Sequence, residues 1–265
     1  MTRSIESSSI LRPFLLSWYE RQFSSNCVGC FRGVYQSFAE ANSSAPKTKP
    51  LGFDCPEYAS EFRDRHFKVF SFDYPMLYWL RTLMQAECRI FDFGGHVGTH
   101  FYAYQNYLPY PRGLEWIVCD LPKITRVGNE IARERNARGL RFTNRMADAE
   151  NADIFIAAGS LQYVESPSLA SLLAALGRKP GHILVNKAPL YDGPQFVTLQ
   201  NGGVAFHPQY VFNRAAFVES VCTAGYALVD SWSVDTHPGR IPGYPERSFP
   251  CHTGMYFTRQ SAESR

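Results

Sequence analysis

The segment Arg89-Ile90-Phe91-Asp92-Phe93-Gly94-Gly95-His96-Val97-Gly98-Thr99-His100 constrains what this chain can fold into more than any other. An apolar run carries an acid near its end and passes directly into a glycine turn. Residues with little or no side chain at such a turn let a ligand touch the backbone closely. The dinucleotide fingerprint G-x-G-x-x-G does not fit here. Counted from Gly94 its positions hold Gly94, His96 and Thr99, and counted from Gly95 they hold Gly95, Val97 and His100. What does fit is D-x-G-x-x-x-G, with Asp92 two residues before the first glycine and Gly98 closing the motif.

Strand-like and helix-like segments alternate from Cys88 onward, the signature of a mainly parallel sheet with crossover helices. Strands are expected at 88–93, 114–119, 140–142, 153–158, 182–185, 226–232 and about 254–258, with helices at 97–108, 123–136, 168–176 and 212–224. The last two strands have no helix between them, only the Gly- and Pro-rich 237–250 loop, so they should form an antiparallel hairpin. Upstream, residues 1–85 read as helical pieces, at 9–24, 37–41 and 74–86, broken by the polar, Pro-bounded loop 42–50. The economical division is an N-terminal helical extension or lid over 1–85 and an α/β domain over 86–265.

In an open α/β sheet, ligands bind beyond the carboxyl ends of the strands, at the topological switch point. The loops after the strands at 88–93, 114–119, 153–158 and 182–185 should therefore share one cleft. Asp120 ends the second of these strands, 28 residues beyond Asp92. A carboxylate there can take two hydroxyl donors at once, although it can also cap the helix opening at Leu121-Pro122. Ser160, Leu161 and Tyr163 follow the third strand, where the Tyr163 ring can face a cation or simply fill the core. Asn186 follows the fourth as a polar contact for the cleft, and Lys187 beside it reads as solvent-exposed.

These motifs resemble class I S-adenosylmethionine enzymes, whose fold has seven strands, the seventh antiparallel, with helices on both faces. The resemblance covers about residues 85–258 and implies S-adenosylmethionine as cosubstrate or substrate. It implies that Gly94, Gly95 and Gly98 receive its methionine part, that Asp92 accepts from its ammonium directly or through water, and that Asp120 with Leu121 holds its ribose. Ser160 and Leu161 would frame the cofactor, with Tyr163, Asn186 and His96 at the reacting centre. His96 stands where the family usually has glycine; it either narrows the pocket and adds a polar group or turns outward. A contact to adenine would come from 145–149. Phe31–Phe38, Phe91–Gly95, Gly159–Tyr163 and Gln195–Gly203 together resemble a family of bacterial methyltransferases often encoded near surface-polysaccharide or natural-product genes. Some enzymes similar to this group cyclise S-adenosylmethionine to azetidine-2-carboxylate.

The leading expectation is alkyl transfer, most simply methyl transfer, to a small-molecule oxygen or nitrogen nucleophile. Cyclisation of the cofactor is the rival, followed by a non-catalytic binding scaffold; the failed fingerprint puts a nicotinamide oxidoreductase last. His96, His100 and His207 are possible bases. Asn186-Lys187-Ala188-Pro189-Leu190-Tyr191 lacks both the position and the adjacent prolines of amino-methylating nucleic-acid enzymes. A net charge of +3 with 19% charged residues argues against nucleic acid as partner. The arginines from Arg126 to Arg145 are interspersed with Glu130 and Glu134 and read as a solvated helix face.

No apolar run reaches the roughly 20 residues of a membrane span, and 10–16 is too short and too broken by Arg12 and Pro13 for a signal peptide. Seven cysteines at 27, 30, 55, 88, 119, 222 and 251 make no disulfide framework. Cys27-Val28-Gly29-Cys30 has zinc-like spacing but no second pair, and no metal is expected. A cytoplasmic protein with reduced thiols follows, acting alone or as a homodimer in which residues 1–85 serve as lid, interface or both.

Overall fold

The computed structural model describes residues 12–54, 58, 67–235 and 238–260. Its centre is a seven-stranded sheet in the order β10-β11-β6-β5-β2-β3-β4. The strands are β2 (Glu87–Phe93), β3 (Gly113–Cys119), β4 (Leu140–Thr143), β5 (Ile154–Ala158), β6 (His182–Ala188), β10 (Tyr226–Val234) and β11 (His252–Arg259). Neighbours from β6 to β4 are parallel, whereas β11 runs antiparallel to both β6 and β10. The strand order reverses between β2 and β5, which is the switch point of the sheet.

Because successive side chains alternate across a strand, β2 sends Cys88 and Ile90 to one face and Phe91 and Phe93 to the other. On the first face they meet Trp116, Val118, Ile154 and Ile156 under α3 (Tyr74–Leu83), α4 (Thr99–Tyr104) and α5 (Pro122–Glu134). On the second, Ile117, Phe155, Ile183 and Val185 lie under α6 (Leu169–Ala175) and α7 (Arg214–Thr223). Helices on both faces of a sheet with an antiparallel terminal hairpin are the class I methyltransferase architecture expected from the sequence.

Several local expectations change. The helix after the glycine turn, expected at 97–108, ends at Tyr104 and starts only at Thr99, because Gly98, at φ 89°, is left-handed and holds Val97 and Gly98 out of it. The helix expected from 212 starts at Arg214, where the Asn213 side chain accepts the Ala216 N–H at 2.7 Å. Two more helices, α1 (Arg12–Ser24) and α2 (Phe38–Ser44), belong to the N-terminal part; positions 9–11 of the helix expected from 9 lie outside the described residues.

The N-terminal part is not all helical. Phe31–Tyr35 is a strand, β1, in a second sheet ordered β1-β8-β9-β7, with β7 at Leu190–Tyr191, β8 at Phe196–Asn201 and β9 at Phe206–Asn213. The reason is tertiary: β1 has a buried partner waiting in β8, with Phe31 opposite Gln200. Phe23 of α1 packs on Leu199 and Phe206, and Phe38 and Ala41 of α2 pack on Val197. Cys27 and Cys30, expected as reduced thiols, are joined as a disulfide. The turn between them brings their Cα atoms to 5.5 Å, within disulfide range. Cys55 lies outside the described residues.

Candidate functional site

The sequence-expected residues gather at the carboxyl edge of the large sheet, around the switch point. The turn after β2 is built for close backbone approach. Gly94 (φ 71°), His96 (φ 59°) and Gly98 are left-handed. A Cβ at Gly94 would lie 2.3 Å from Ser160 Cβ, and one at Gly95 would strike the Asp92 carboxylate. Two bonds lock the turn to its neighbours: Gly94 N–H donates to Cys119 O at 2.8 Å, and Ser160 Oγ donates to Phe93 O at 2.6 Å.

Asp92 is fully buried beneath this turn. Its carboxylate accepts from His100 Nδ1 at 3.0 Å and Trp116 Nε1 at 3.1 Å. A carboxylate only accepts, so Nδ1 carries the proton, and His100 serves as an anchor for Asp92. Asp120 lies at the end of β3 across from the turn. Oδ2 accepts the His96 N–H at 2.9 Å and Oδ1 accepts the Leu121 N–H at 2.7 Å. Each oxygen keeps a second lone pair for a ligand hydroxyl. Burial pushes its pKa up to about 6, only partly offset by the two backbone bonds. Leu121 is exposed at the rim, beside Asp120.

Beyond β5 come Ser160, Leu161, Gln162 and Tyr163. Tyr163 donates to Gln200 Oε1 of β8 at 2.6 Å, and burial holds its hydroxyl well above the usual tyrosine range. Beyond β6, the Asn186 carboxamide is held at both ends: Nδ2 donates one hydrogen to Phe72 O at 3.1 Å, while Oδ1 accepts from Trp232 Nε1 and from the Lys187 N–H. Lys187 is half-buried rather than solvent-exposed.

Sequence reasoning missed the cover of this cleft. The inner face of the β8–β9 hairpin presents Gln200 opposite His207 and Thr198 opposite Gln209, and β9 packs on the turn at 161–163. Phe53 stacks on His207 with ring centroids 3.6 Å apart and meets Tyr163 edge-on at 4.7 Å. Tyr58 Oη lies 2.6 Å from His207 Nε2. Buried among these rings, His207 has its pKa pulled down to about 3. The chain segment carrying Phe53 runs from the Leu51–Phe206 bridge to α5, where Lys123 Nζ donates to Asp54 O at 2.9 Å. It thus straps the cleft from β9 to the neighbourhood of Asp120. The Asn201-Gly202-Gly203 tripeptide between two β-rich runs is the hairpin signal that would have found this cover.

Among the described residues, three groups facing this cover hold buried polar atoms without hydrogen-bond partners: Gln162 Oε1, His207 Nδ1 and both amide atoms of Gln209. Such atoms ordinarily find partners, so the region is suited to a polar small molecule. Among the described residues, no group of three or more His, Cys, Asp and Glu is placed to hold a metal ion. No described helix is long and apolar enough to cross a membrane.

No family model and no curated protein sequence matches the chain. Solved structures do. An O-methyltransferase family protein from Burkholderia thailandensis matches with a TM-score of 0.50 at 16% identity, over 79% of this chain and 61% of that one. A 1,6-didemethyltoxoflavin-N1-methyltransferase from Burkholderia thailandensis, solved with S-adenosylhomocysteine, matches at 0.49 and 17% identity over 72% and 79%. Magnesium protoporphyrin IX methyltransferase from Synechocystis PCC 6803, also with S-adenosylhomocysteine, matches at 0.47 and 14% over 71% and 81%. The first of these establishes the shared fold.

Proposed function

We propose that this chain is an S-adenosylmethionine-dependent transferase that methylates an oxygen or nitrogen of a small molecule. One observation carries the reading: a glycine turn that a Cβ would fill and a two-oxygen acceptor, Asp120, lie side by side at the switch point. Gly94 and Gly95 receive the methionine part, Asp92 shapes the turn from below, and Asp120 takes the ribose hydroxyls. Gly98 turns the chain into α4, and Leu121, Ser160 and Leu161 border the cofactor. When bound, the cofactor supplies an electrophilic methyl group on a sulfonium. Tyr163 offers an aromatic face to that cation. The protein's contribution is in-line alignment of nucleophile and methyl in a site shielded from water by the strap and the β8–β9 hairpin. Natural-product or surface-glycan chemistry in the cytoplasm is the setting we infer from the family resemblance alone, since the Cys27–Cys30 disulfide removes the support that reduced thiols would have lent.

A second reading, cyclisation of the cofactor by its own amine, is favoured by one observation. The aromatic cover of Phe53, Tyr58, Tyr163 and His207 closes over the cleft, which suits a reaction needing no second substrate. Incubation of the purified protein with S-adenosylmethionine alone, followed by mass spectrometry, separates the two. S-Adenosylhomocysteine formed only when an extract is added supports methyl transfer; methylthioadenosine with a new four-ring amino acid supports cyclisation. Absence of cofactor binding by calorimetry refutes both.

A further inference from the structure

Among the described residues, Lys187 is the one cationic side chain at the carboxyl edge of the sheet that the site leaves without a task. It stands at φ 54°, in the left-handed region that side chains with a Cβ avoid. Both of its backbone polar groups are tied down: its N–H donates to Asn186 Oδ1 at 3.1 Å, and its carbonyl accepts from Gln162 Nε2 at 3.5 Å. Asn186 is itself fastened to Phe72 O and Trp232. The side chain then runs over Gly159, where an added Cβ would sit 3.5 Å from Cε and 3.6 Å from Cβ of the lysine. Its Nζ ends 5.1 Å from the centre of the Phe72 ring. Among the described residues, Nζ makes no hydrogen bond and no ion pair.

The charged groups facing it are Asp73, from the turn before α3, and Asp92, from β2. Both favour its protonation, yet burial outweighs them and lowers its pKa. A lysine with a purely structural task would be expected to close on one of these carboxylates. Asp73 is instead engaged by Tyr104 Oη and the Phe70 N–H, and Asp92 by His100 and Trp116. The amine is left free at the edge shared by the Asp92 turn, the loop after β5 and the end of β6.

Building on the proposed transfer reaction, we infer that Lys187 is its proton acceptor. The nucleophile's lone pair forms the bond to the methyl carbon, the carbon–sulfur bond breaks, and its electron pair stays on sulfur as a neutral thioether. The proton on the nucleophile passes to the Nζ lone pair. The resulting ammonium faces the Phe72 ring and two carboxylates, and returns its proton to water. A sulfonium beside Nζ disfavours a second cation, so cofactor binding itself holds the amine in its basic form.

The test begins with the intact wild-type chain. Competitive labelling with acetic anhydride from pH 6 to 11, mapped by mass spectrometry, should give Lys187 a lower titration midpoint than Lys123 and Lys179. Added S-adenosylmethionine should lower that midpoint further or shield the residue, leaving Lys123 and Lys179 unchanged. The Lys187→Met and Lys187→Arg variants should bind S-adenosylmethionine within about threefold of wild type by calorimetry. Product formation should fall on the order of 10²- to 10⁴-fold, as expected for loss of a general base. An ordinary midpoint that ignores the cofactor overturns the assignment, as does Lys187→Met losing cofactor affinity, which would make the residue an anchor. If wild type does not bind S-adenosylmethionine, the transfer reading itself falls; if it binds while Lys187 titrates like Lys123, only the base assignment falls.

Discussion

Replacing Gly94 by alanine tests the geometry of the turn with a single methyl group. At φ 71° the new side chain meets the left-handed penalty, about 1–2 kcal/mol for a residue with a Cβ. Its Cβ would also sit 2.3 Å from Ser160 Cβ, with Ser160 Cα at 3.6 Å. Ser160 cannot rotate away to relieve this, because its own Cβ is the atom struck. Relief requires backbone movement, about 1–3 kcal/mol for an overpacked site, and endangers the 2.6 Å bond from Ser160 Oγ to Phe93 O, about 1 kcal/mol more. The sum is about 4 kcal/mol. Gly52→Ala is the control: its φ is 82° but, among the described residues, nothing lies within 4 Å of the added atom, so only the backbone penalty of about 1 kcal/mol remains. Urea unfolding of both variants against wild type reads the difference, which should be about 3 kcal/mol with m unchanged. Gly94→Ala should also lose most affinity for S-adenosylmethionine, while Gly52→Ala keeps it. Equal destabilisation of the two variants would refute the argument that the loops after β2 and β5 are in contact through this glycine.

Asp120→Ala should abolish or severely weaken S-adenosylmethionine binding by calorimetry while circular dichroism is unchanged; unaltered affinity would sink the ribose assignment. The Asp120 pKa is raised to about 6, so the folded state holds more protons than the unfolded state between about pH 4 and 6. Its contribution to stability therefore falls as pH rises through that window, whereas cofactor affinity rises as the carboxylate ionises. His207 behaves oppositely: with its pKa lowered to about 3, the unfolded state binds the extra proton below about pH 6.5. Stability present above that pH is lost as pH falls, by up to about 5 kcal/mol. An NMR titration finding His207 half-protonated near pH 6.5 would contradict this. Tyr163→Phe should lose about 1 kcal/mol of stability with the Gln200 bond and keep cofactor affinity. Tyr163→Leu should weaken affinity about fivefold if the ring faces the sulfonium; equal affinities would remove that role.

The parts of the fold legible in the sequence are those where the cause is local. Ile90 to Phe93 reads as a buried strand because its neighbours are apolar, and Gly94-Gly95 as a turn because glycine tolerates positive φ. Asp120 was found because a carboxylate at the end of an apolar run is informative wherever the strand pairs. What stayed hidden depends on distant partners. Phe31–Tyr35 becomes a strand only because β8 lies beside it. Phe53 and Tyr58 come from a stretch with no periodicity and gain meaning from His207, about 150 positions away. Lys187 sits two residues beyond a strand segment expected to end at 185; its left-handed backbone, which turns the amine inward over Gly159, leaves no mark in composition.

The pairing of β1 with β8 has a consequence for how the chain is made. Phe31 is synthesised long before its partner Gln200, so during elongation β1 waits unpaired while the central strands can already assemble. The β1–β8 pairing is therefore late to close, a non-local contact whose loop-closure entropy is met only after β8 has been made. Conversely, a shortened chain starting after Tyr35 would leave β8 as a bare sheet edge carrying Val197 and Leu199. An edge of that kind recruits strands from other molecules. N-terminal truncation is thus expected to turn the cleft's cover into a site of self-association.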